Sequence, residues 1–338
     1  MEVKLELKLC ERSEIFRIEF AQICEDSYLL DELAKDKSSQ VREKVAENEN
    51  TTLETLRVLT EDPDYRVRCA VARNRNIDSK ILIILMEDKD VVVRETAAKV
   101  RNEKDVLTEL AGDKSDVVRR IVARKWSYGD EMLNHLAQDK SVFVRIEVAQ
   151  NRTTNSDTLD KLSGDPDVSV RIAVMSNPAL KNETLKKLAA DPELAVRLAI
   201  ACWEGTQREI IDILINDLDY RVRQAIAKRH DLTSEDLDKL ADDKESWVRK
   251  TVAQNLITTA KTLDKLARYD GKEVRKAVAE NPNTSTETLD YLARDKDFDV
   301  LIAVIKHENT SKDALDILKV YPNNSIRYRA YYRIYQTS

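Results

Sequence analysis

One residue pattern recurs along almost the whole chain at a nearly constant spacing. With the Arg of a Val-Arg dipeptide as the marker of each repeat, the markers are Arg42, Arg68, Arg94, Arg119, Arg145, Arg171, Arg197, Arg223, Arg249 and Arg275. The step is 26 residues and once 25, and a Leu lies nine residues before every marker. A period of this length is typical of stacked supersecondary units, so the chain is a repeat protein.

Each repeat is expected to form a helical hairpin. The first helix carries an apolar pair at i and i+3, as in Leu56 and Leu59. The second is expected to begin at an Asp six residues before the marker, which acts as the N-cap, with Pro at the first helical position where one follows, as in Asp62-Pro63. It continues to an Asn-rich break. Five Gly and six Pro in the chain leave little material for β-turns.

Two short helices cannot bury an apolar face alone, so the repeats must stack. We therefore expect an all-α protein, a right-handed α-solenoid (superhelix) of about 12 or 13 two-helix repeats, forming a single domain over residues 1–338. Residues 1–27 would hold an N-terminal cap with a degenerate repeat, 28–320 the regular repeats and 321–338 a C-terminal cap. Residues 3–9 alternate like a strand, and the tyrosines of 328–335 are expected to cover the far end.

The most regular copies are Leu185-Lys186-Lys187-Leu188-Ala189-Ala190-Asp191-Pro192 and Val274-Arg275-Lys276-Ala277-Val278-Ala279-Glu280-Asn281-Pro282. This pattern resembles the leucine-rich repeat variant family and, more broadly, the HEAT-like α-solenoids. The resemblance covers nearly all of the chain. It implies an architecture and no single activity, because such solenoids serve many partners. Since the first helix is 3₁₀ in some members of the family, its type is left open here.

The marker Arg faces the core. At about 100° per residue, it falls inside the apolar arc of the second helix. A guanidinium there needs a partner, and the recurring Asp of the same or an adjacent repeat is the obvious candidate. HEAT-like repeats are known for such ladders, and contact with a ligand is the alternative. The predicted structural Asp/Arg ladder comprises Asp62, Arg68, Asp88, Arg94, Asp139, Arg145, Asp165, Arg171, Asp191, Arg197, Asp217, Arg223, Asp243 and Arg249.

Positions one and five after the marker face away from the core, on the helix that usually lines the concave side of HEAT-like solenoids. They form a basic stripe, then an apolar patch, then basic residues again. The candidate partner-binding residues are Arg73, Arg75, Lys99, Arg101, Arg120, Arg124, Lys125, Trp126, Phe143, Ile146, Ile172, Leu198, Trp203, Lys228 and Arg229. We therefore expect a non-enzymatic scaffold that binds a protein or peptide partner on its concave face, with apolar anchors and steering charges.

Three alternatives stay open. The basic stripe of the second to fourth repeats could bind nucleic acid. Trp126, Arg124, Trp203 and Trp247 bear a superficial resemblance to the concave residues of HEAT-like alkylpurine DNA glycosylases, although no family motif matches residue by residue. Finally, the apolar residues could simply pack against neighbouring repeats and the charges could be ordinary solvated surface.

No cofactor or metal is expected. His135, His230 and His307 are far apart, as are Cys10, Cys24, Cys69 and Cys202, and phosphate-loop, G-x-S-x-G and H-E-x-x-H motifs are absent. With 35% charged residues, no long apolar run and no signal-peptide pattern, a cytoplasmic protein is the expectation. The net charge of −6 weakly disfavours a general nucleic-acid binder. Oligomeric state and partner identity are not readable from the sequence.

Overall fold

The computed structural model describes residues 12–269 and 271–337. All regular secondary structure in these residues is α-helical, and short first helices alternate with second helices, which confirms the all-α solenoid. The chain divides into two compact units, Met1–Lys181 and Asn182–Ser338. The expected strand at residues 3–9 lies outside the described residues, and the single domain stays a prediction.

The N-terminal unit holds α1 (Glu14–Ile23), α2 (Ser27–Leu33), α3 (Ser39–Glu47), α4 (Leu53–Leu59), α5 (Tyr65–Arg73), α6 (Ser79–Met86), α7 (Val91–Val100), α8 (Lys104–Leu110), α9 (Asp116–Lys125), α10 (Asp130–Leu136), α11 (Val142–Gln150), α12 (Ser156–Leu162) and α13 (Val168–Val174). The C-terminal unit holds α14 (Asn182–Ala189), α15 (Leu194–Cys202), α16 (Arg208–Leu214), α17 (Tyr220–Ala227), α18 (Ser234–Leu240), α19 (Ser246–Gln254), α20 (Ala260–Leu266), α21 (Lys272–Glu280), α22 (Thr286–Leu292), α23 (Phe298–Lys306), α24 (Lys312–Leu318) and α25 (Asn324–Thr337). First helices have even numbers and second helices odd ones.

The core of each unit is built from the recurring apolar positions. In the second regular repeat, Leu56, Val67 and Val71 are fully buried, and the equivalent residues of the other repeats are buried too. Within each unit, neighbouring second helices pack closely along one another, whereas neighbouring first helices touch much less. Among the described helices, none combines the length and the apolar character that a membrane crossing requires.

The second helices begin two residues later than the sequence predicts. Asp64, not Asp62, is the N-cap of α5, and its side chain accepts a hydrogen bond from the Arg66 N–H. Asp62 Oδ1 instead accepts the N–H of Asp64 at 2.9 Å, which closes a turn ahead of the helix. Pro63 lies within that turn, so it does not occupy the first helical position. The residue two positions after the recurring Asp is therefore the N-cap, and the recurring Asp faces the neighbouring repeat.

That Asp pairs with the marker Arg of the preceding repeat. Arg68 donates from Nε and Nη2 to the two carboxylate oxygens of Asp88, at 2.7 and 3.0 Å, and from Nη1 to the main-chain oxygen of Asp62 in its own repeat. The guanidinium thus joins two repeats. Further pairs of the same kind are Arg17–Asp36, Arg42–Asp62, Arg94–Asp113, Arg119–Asp139, Arg145–Asp165, Arg197–Asp217, Arg223–Asp243 and Arg275–Asp295. Arg171 donates from Nη1 to the main-chain oxygen of Asp165, and Asp191 accepts the Glu193 N–H.

Two repeats depart from this pairing. Arg249 donates to the main-chain oxygen of Asp243, but Tyr269 occupies the position of its acidic partner, and the guanidinium lies over the Tyr269 ring at 4.4 Å from the centroid. Its buried Nε has no hydrogen-bond partner among the described residues, so Arg249 is not a full member of the ladder. Leu301 replaces a marker Arg. The change removes no partner from Asp295, the recurring Asp of the same repeat, because Asp295 pairs with Arg275 of the preceding repeat.

A second ladder of side chains runs through the Asn-rich breaks. Asn74 is buried and donates from Nδ2 to the main-chain oxygens of Ala46 and Asn48, at 2.9 and 3.0 Å, at the end of the preceding second helix. The last carbonyls of a helix lack intrahelical donors, and the amide supplies one to Ala46, while the Asn48 oxygen also accepts the Thr51 N–H. Asn48, Asn151, Asn177, Asn255 and Asn281 make equivalent bonds. The sequence pattern predicts only a break between helices at this position.

The tyrosines of 328–335 do not cover the end of the stack as expected. Tyr328, Tyr331, Tyr332 and Tyr335 are all exposed on α25. The apolar face of α25 is formed by buried Ile326 and Ala330, which are smaller and lie on the other side of the helix. The aromatic residues are therefore a surface feature of the C-terminal unit.

Candidate functional site

The second helices present one exposed face, which consists of the positions two before, one after and five after each marker; we refer to it as the second-helix face. The fifth position is exposed throughout, as in Arg73, Lys99 and Arg124. The first position after the marker is half-buried in Ile146 and Ile172, since the neighbouring second helix packs beside it. This face therefore offers alternating exposed and half-buried side chains to a partner.

The basic stripe of the N-terminal unit is paired with acidic side chains. Arg73 lies 3.9 Å from Glu47, and Lys99 Nζ lies 2.5 Å from Glu95. Arg124 and Arg120 both reach the buried carboxylate of Glu147, at 2.5 and 3.3 Å.

The hydrogen bond from Arg124 lowers the pKa of Glu147 more than burial raises it, so Glu147 is ionised at neutral pH. The stripe is thus a surface of mixed charge. Arg75, in the adjoining turn, is exposed.

Three predicted binding residues of the N-terminal unit have structural contacts instead. Lys125 Nζ donates to the main-chain oxygens of Ala98, Lys99 and Arg101, and Arg101 Nη2 donates to those of Ala72 and Asn74. Burial lowers the pKa of Lys125. Both cations therefore do what Asn does in other repeats, with longer side chains.

Trp126 is buried, and its Nε1 donates to the Gly129 oxygen at 2.7 Å. Gly129 can accept this bond because its φ of +102° turns the chain back towards the ring, a conformation that Gly adopts readily. Trp126 is therefore not available to a partner.

Phe143 is the most exposed large apolar side chain of the predicted set, with 57% of its surface accessible. It lies two residues before the marker Arg145, and the Arg120 guanidinium sits over its ring, 5.3 Å from the centroid. Arg120 also contacts Glu147, so Phe143 is held beside a part-buried ion pair. An aromatic ring with one face backed by Arg and another open to solvent is typical of a binding anchor.

The C-terminal unit has its own groove on the second-helix face. It lies between α15 and α17, has a volume of about 510 Å³, and is lined by Cys202, Glu204, Lys228 and His230 among others. Arg229, a predicted binding residue, is buried at its edge and donates to the main-chain oxygens of Ala201 and Trp203, because it occupies the Asn position of its repeat.

Leu198 and Trp203 of the same unit are half-buried. The Trp203 ring lies against Gly205, where a Cβ atom would come within 2.7 Å of Cζ2. Lys228 thus remains the exposed basic residue of the predicted set in this unit.

Sequence reasoning left two residues of this face, Trp247 and Glu147, out of the predicted partner-binding set, although Trp247 entered the comparison with DNA glycosylases. Trp247 occupies the same repeat position as Phe143, is 54% exposed, and has the Lys250 ammonium 5.5 Å from its ring centroid. Glu147 was missed because it lies two residues after the marker, a position that is buried in most repeats. The signal for Trp247 was available, since every residue two before a marker shares its register. Within residues 12–269 and 271–337, no group of three or more potential metal ligands comes together.

Comparison with known proteins bears on this arrangement. The family model described as "Leucine rich repeat variant" matches residues 273–297. A solved structure described as a leucine-rich repeat variant with a novel repetitive structural motif is 25% identical, with a TM-score of 0.53, over 66% of this chain and 88% of that one. Both matches confirm the resemblance to the leucine-rich repeat variant family. The family model covers most of α21 and all of α22 and ends at Asp297, the N-cap of α23, and the same residue pattern recurs in the other repeats described above.

A second solved structure, an engineered protein, is 15% identical and covers 99% of this chain and 98% of its own, with a TM-score of 0.26. No curated protein sequence matches the chain.

Proposed function

We propose that this repeat scaffold is non-enzymatic and binds a protein or peptide partner through the second-helix face of its N-terminal unit. The observation that carries the proposal is Phe143, a ring exposed over 57% of its surface and backed by Arg120. Interface energy concentrates in aromatic and Arg residues near the centre of a patch. Burying Phe143 under a partner would remove apolar surface from water without disturbing the fold.

The side chains around Phe143 offer both apolar surface and charge to a partner. Half-buried Ile146 lies on the same helix, α11, and offers further apolar surface. Lys99 and Arg73 are exposed and paired with acids at the surface, so they can exchange partners with modest loss, whereas Arg124 stays paired with the buried Glu147. The proposed partner therefore presents an apolar side chain for Phe143 and carboxylates for the surrounding cations, which steer its approach.

The alternatives have less support. Nucleic acid binding along the basic stripe would require displacing Glu47, Glu95 and Glu147 from their cations. Among the residues behind the DNA glycosylase resemblance, Trp126 is buried and donates a hydrogen bond to the main-chain oxygen of Gly129.

The test begins with affinity purification from the native host, followed by titration of the purified partner against variants. Phe143→Asp is expected to weaken binding by at least about 30-fold, which corresponds to a hot spot of about 2 kcal/mol. Trp247→Asp, the same repeat position in the C-terminal unit, is the matched control and should leave affinity unchanged. A partner that binds the Phe143 variant as tightly as the unchanged protein would refute the proposal.

We propose further that the protein works in the cytoplasm. Cys24 and Cys69 are free, buried thiols, and burial raises the pKa of each, so both are stable as reduced thiols. Fractionation of the native host with an antibody against the chain tests the location; recovery outside the cytoplasmic fraction would contradict it.

A further inference from the structure

The C-terminal unit contains a basic groove between α23 and α25. Its volume is about 610 Å³, and Ile302 and Ile305 contribute its apolar surface. Lys306, Arg329 and Arg333 line the same groove. Among the described residues, none of the side chains that line it is acidic. Arg329 Nε donates to the Ser325 hydroxyl at 3.4 Å, a weak neutral contact. This groove is therefore a concentrated positive site on a protein of net charge −6.

Two tyrosine rings border the cations. Tyr328 and Tyr332 line the groove and lie one helical turn apart on α25. Their rings are nearly parallel, with centroids 6.5 Å apart and an interplanar angle of 14°. Both are well exposed, at 71% and 54% of their surface. Flat aromatic faces in water gain most by stacking on another flat ring, and every nucleobase has such a face.

We infer that this groove binds single-stranded RNA. Bases would stack on Tyr328 and Tyr332, while phosphates would lie against Lys306 and Arg329. Aromatic platforms beside a positively charged groove are the physical basis of binding that tolerates any sequence. The ligand differs from the polypeptide partner proposed above and the site lies in the other unit, so the two proposals stand or fall separately.

The extent of the site follows from its surroundings. The adjacent groove between α21 and α23 is lined by Glu280 and Asp299 as well as Lys276 and Lys306, and its acids would repel a phosphate backbone. The basic stripe of the N-terminal unit is likewise neutralised by glutamates, as described above. We therefore expect the α25 groove to hold about two phosphates, one each at Lys306 and Arg329.

An acidic peptide is the competing ligand. Its carboxylates could pair with Lys306 and Arg329, but an acidic side chain has no flat face for the two parallel rings. RNA uses both the cations and the rings, and the observed geometry therefore favours it. The two ligands differ in a measurable way, because only RNA binding should depend on the tyrosine faces.

The experiment uses fluorescence anisotropy of the full chain with a fluorescein-labelled twelve-residue oligouridylate. Two phosphate contacts predict a slope of about −1.4 in log K against log salt concentration, or roughly a 7-fold loss from 50 to 200 mM salt. Tyr332→Ala should weaken binding about 5-fold or more through lost stacking. Arg329→Ala should reduce the slope by about 0.7.

Tyr331→Ala is the matched control. Tyr331 is an exposed tyrosine of the same helix that does not line the groove, so its loss should leave RNA affinity unchanged. Because Tyr332 and Arg329 are exposed, the variants should retain the helical circular dichroism of the unchanged protein.

Three outcomes overturn the inference: no binding at 50 mM salt, equal effects of the Tyr331 and Tyr332 variants, or full displacement of the RNA by an equimolar charge of polyglutamate. The last result would identify a polyanion site that makes no use of the rings.

Discussion

Removing one partner of the Arg68–Asp88 pair should destabilise the protein far more than removing both. Arg68 is 3% exposed, and its guanidinium makes two bonds to Asp88 and one to the main-chain oxygen of Asp62. Asp88→Asn keeps the acceptor for the Asp90 N–H but removes the charge that Arg68 faces. A buried charge left without its counter-charge costs about 3–5 kcal/mol.

The double variant Arg68→Leu with Asp88→Asn removes both charges. Replacing a buried ion pair by uncharged groups is often close to neutral, so we expect a loss of about 1 kcal/mol. The coupling between the two sites would then be at least about 2 kcal/mol. The chain itself contains a repeat of this kind, in which Leu301 replaces the marker Arg and Tyr321 stands at the equivalent of Asp88.

Urea unfolding at pH 7, followed by circular dichroism, measures these free energies of unfolding. Arg66→Ala is the control, because Arg66 pairs with Asp64 at 2.6 Å on the surface, where such pairs contribute about 0–1 kcal/mol. The reasoning fails if Asp88→Asn costs no more than Arg66→Ala, or if the double variant loses the sum of the two single losses.

Three further predictions concern the same scaffold. Burial raises the pKa of Asp139 and Asp243, but the paired Arg and a main-chain N–H lower each pKa by more, so both carboxyls have a depressed pKa in the folded protein. Stability should therefore be constant from about pH 7 to 5 and fall below about pH 4, as acid titration of the free energy of unfolding would record. A rise in stability on acidification would contradict this. Asn74→Ala should cost about 1–3 kcal/mol in urea unfolding, because the Ala46 carbonyl loses its side-chain donor while the Asn48 carbonyl keeps only the Thr51 N–H, and a loss under about 0.5 kcal/mol would argue against the Asn ladder. Gly205→Ala should displace the Trp203 ring and destabilise by about 1–3 kcal/mol, with a change in tryptophan emission; an unchanged spectrum would mean that the ring is not held there.

The repeat period made the fold readable, because register alone fixes which residues face the core. Leu56, Val67 and Val71 could be assigned to the interior from one helical wheel. The wheel gives an angle around the helix but not the repeat from which a contact comes. For that reason the sequence leaves the acidic partner of Arg68 open between two repeats, and it predicts Asp62 as an N-cap.

The candidate site was less readable because side-chain length matters as well as direction. Lys125 and Arg101 look like surface cations in sequence, yet each is long enough to reach the main-chain oxygens that Asn satisfies elsewhere. Trp126 is buried because of the turn at Gly129, a local departure from the repeat. Phe143 and half-buried Ile146 could be identified because their repeat positions lie on the side of the second helix that faces away from the core.

The donor and acceptor of each Arg–Asp pair are encoded about 20 residues apart, on opposite sides of a repeat boundary, as in Arg68 and Asp88. A repeat cut out at its helix boundaries therefore carries an unmatched cation at one end and an unmatched anion at the other. Any in-register duplication or deletion of 26 residues brings complementary ends together again. An insertion or deletion that is not a whole number of repeats would leave the Arg or Asp at the junction without its partner. A designer could therefore lengthen or shorten either unit by whole repeats without redesigning an interface.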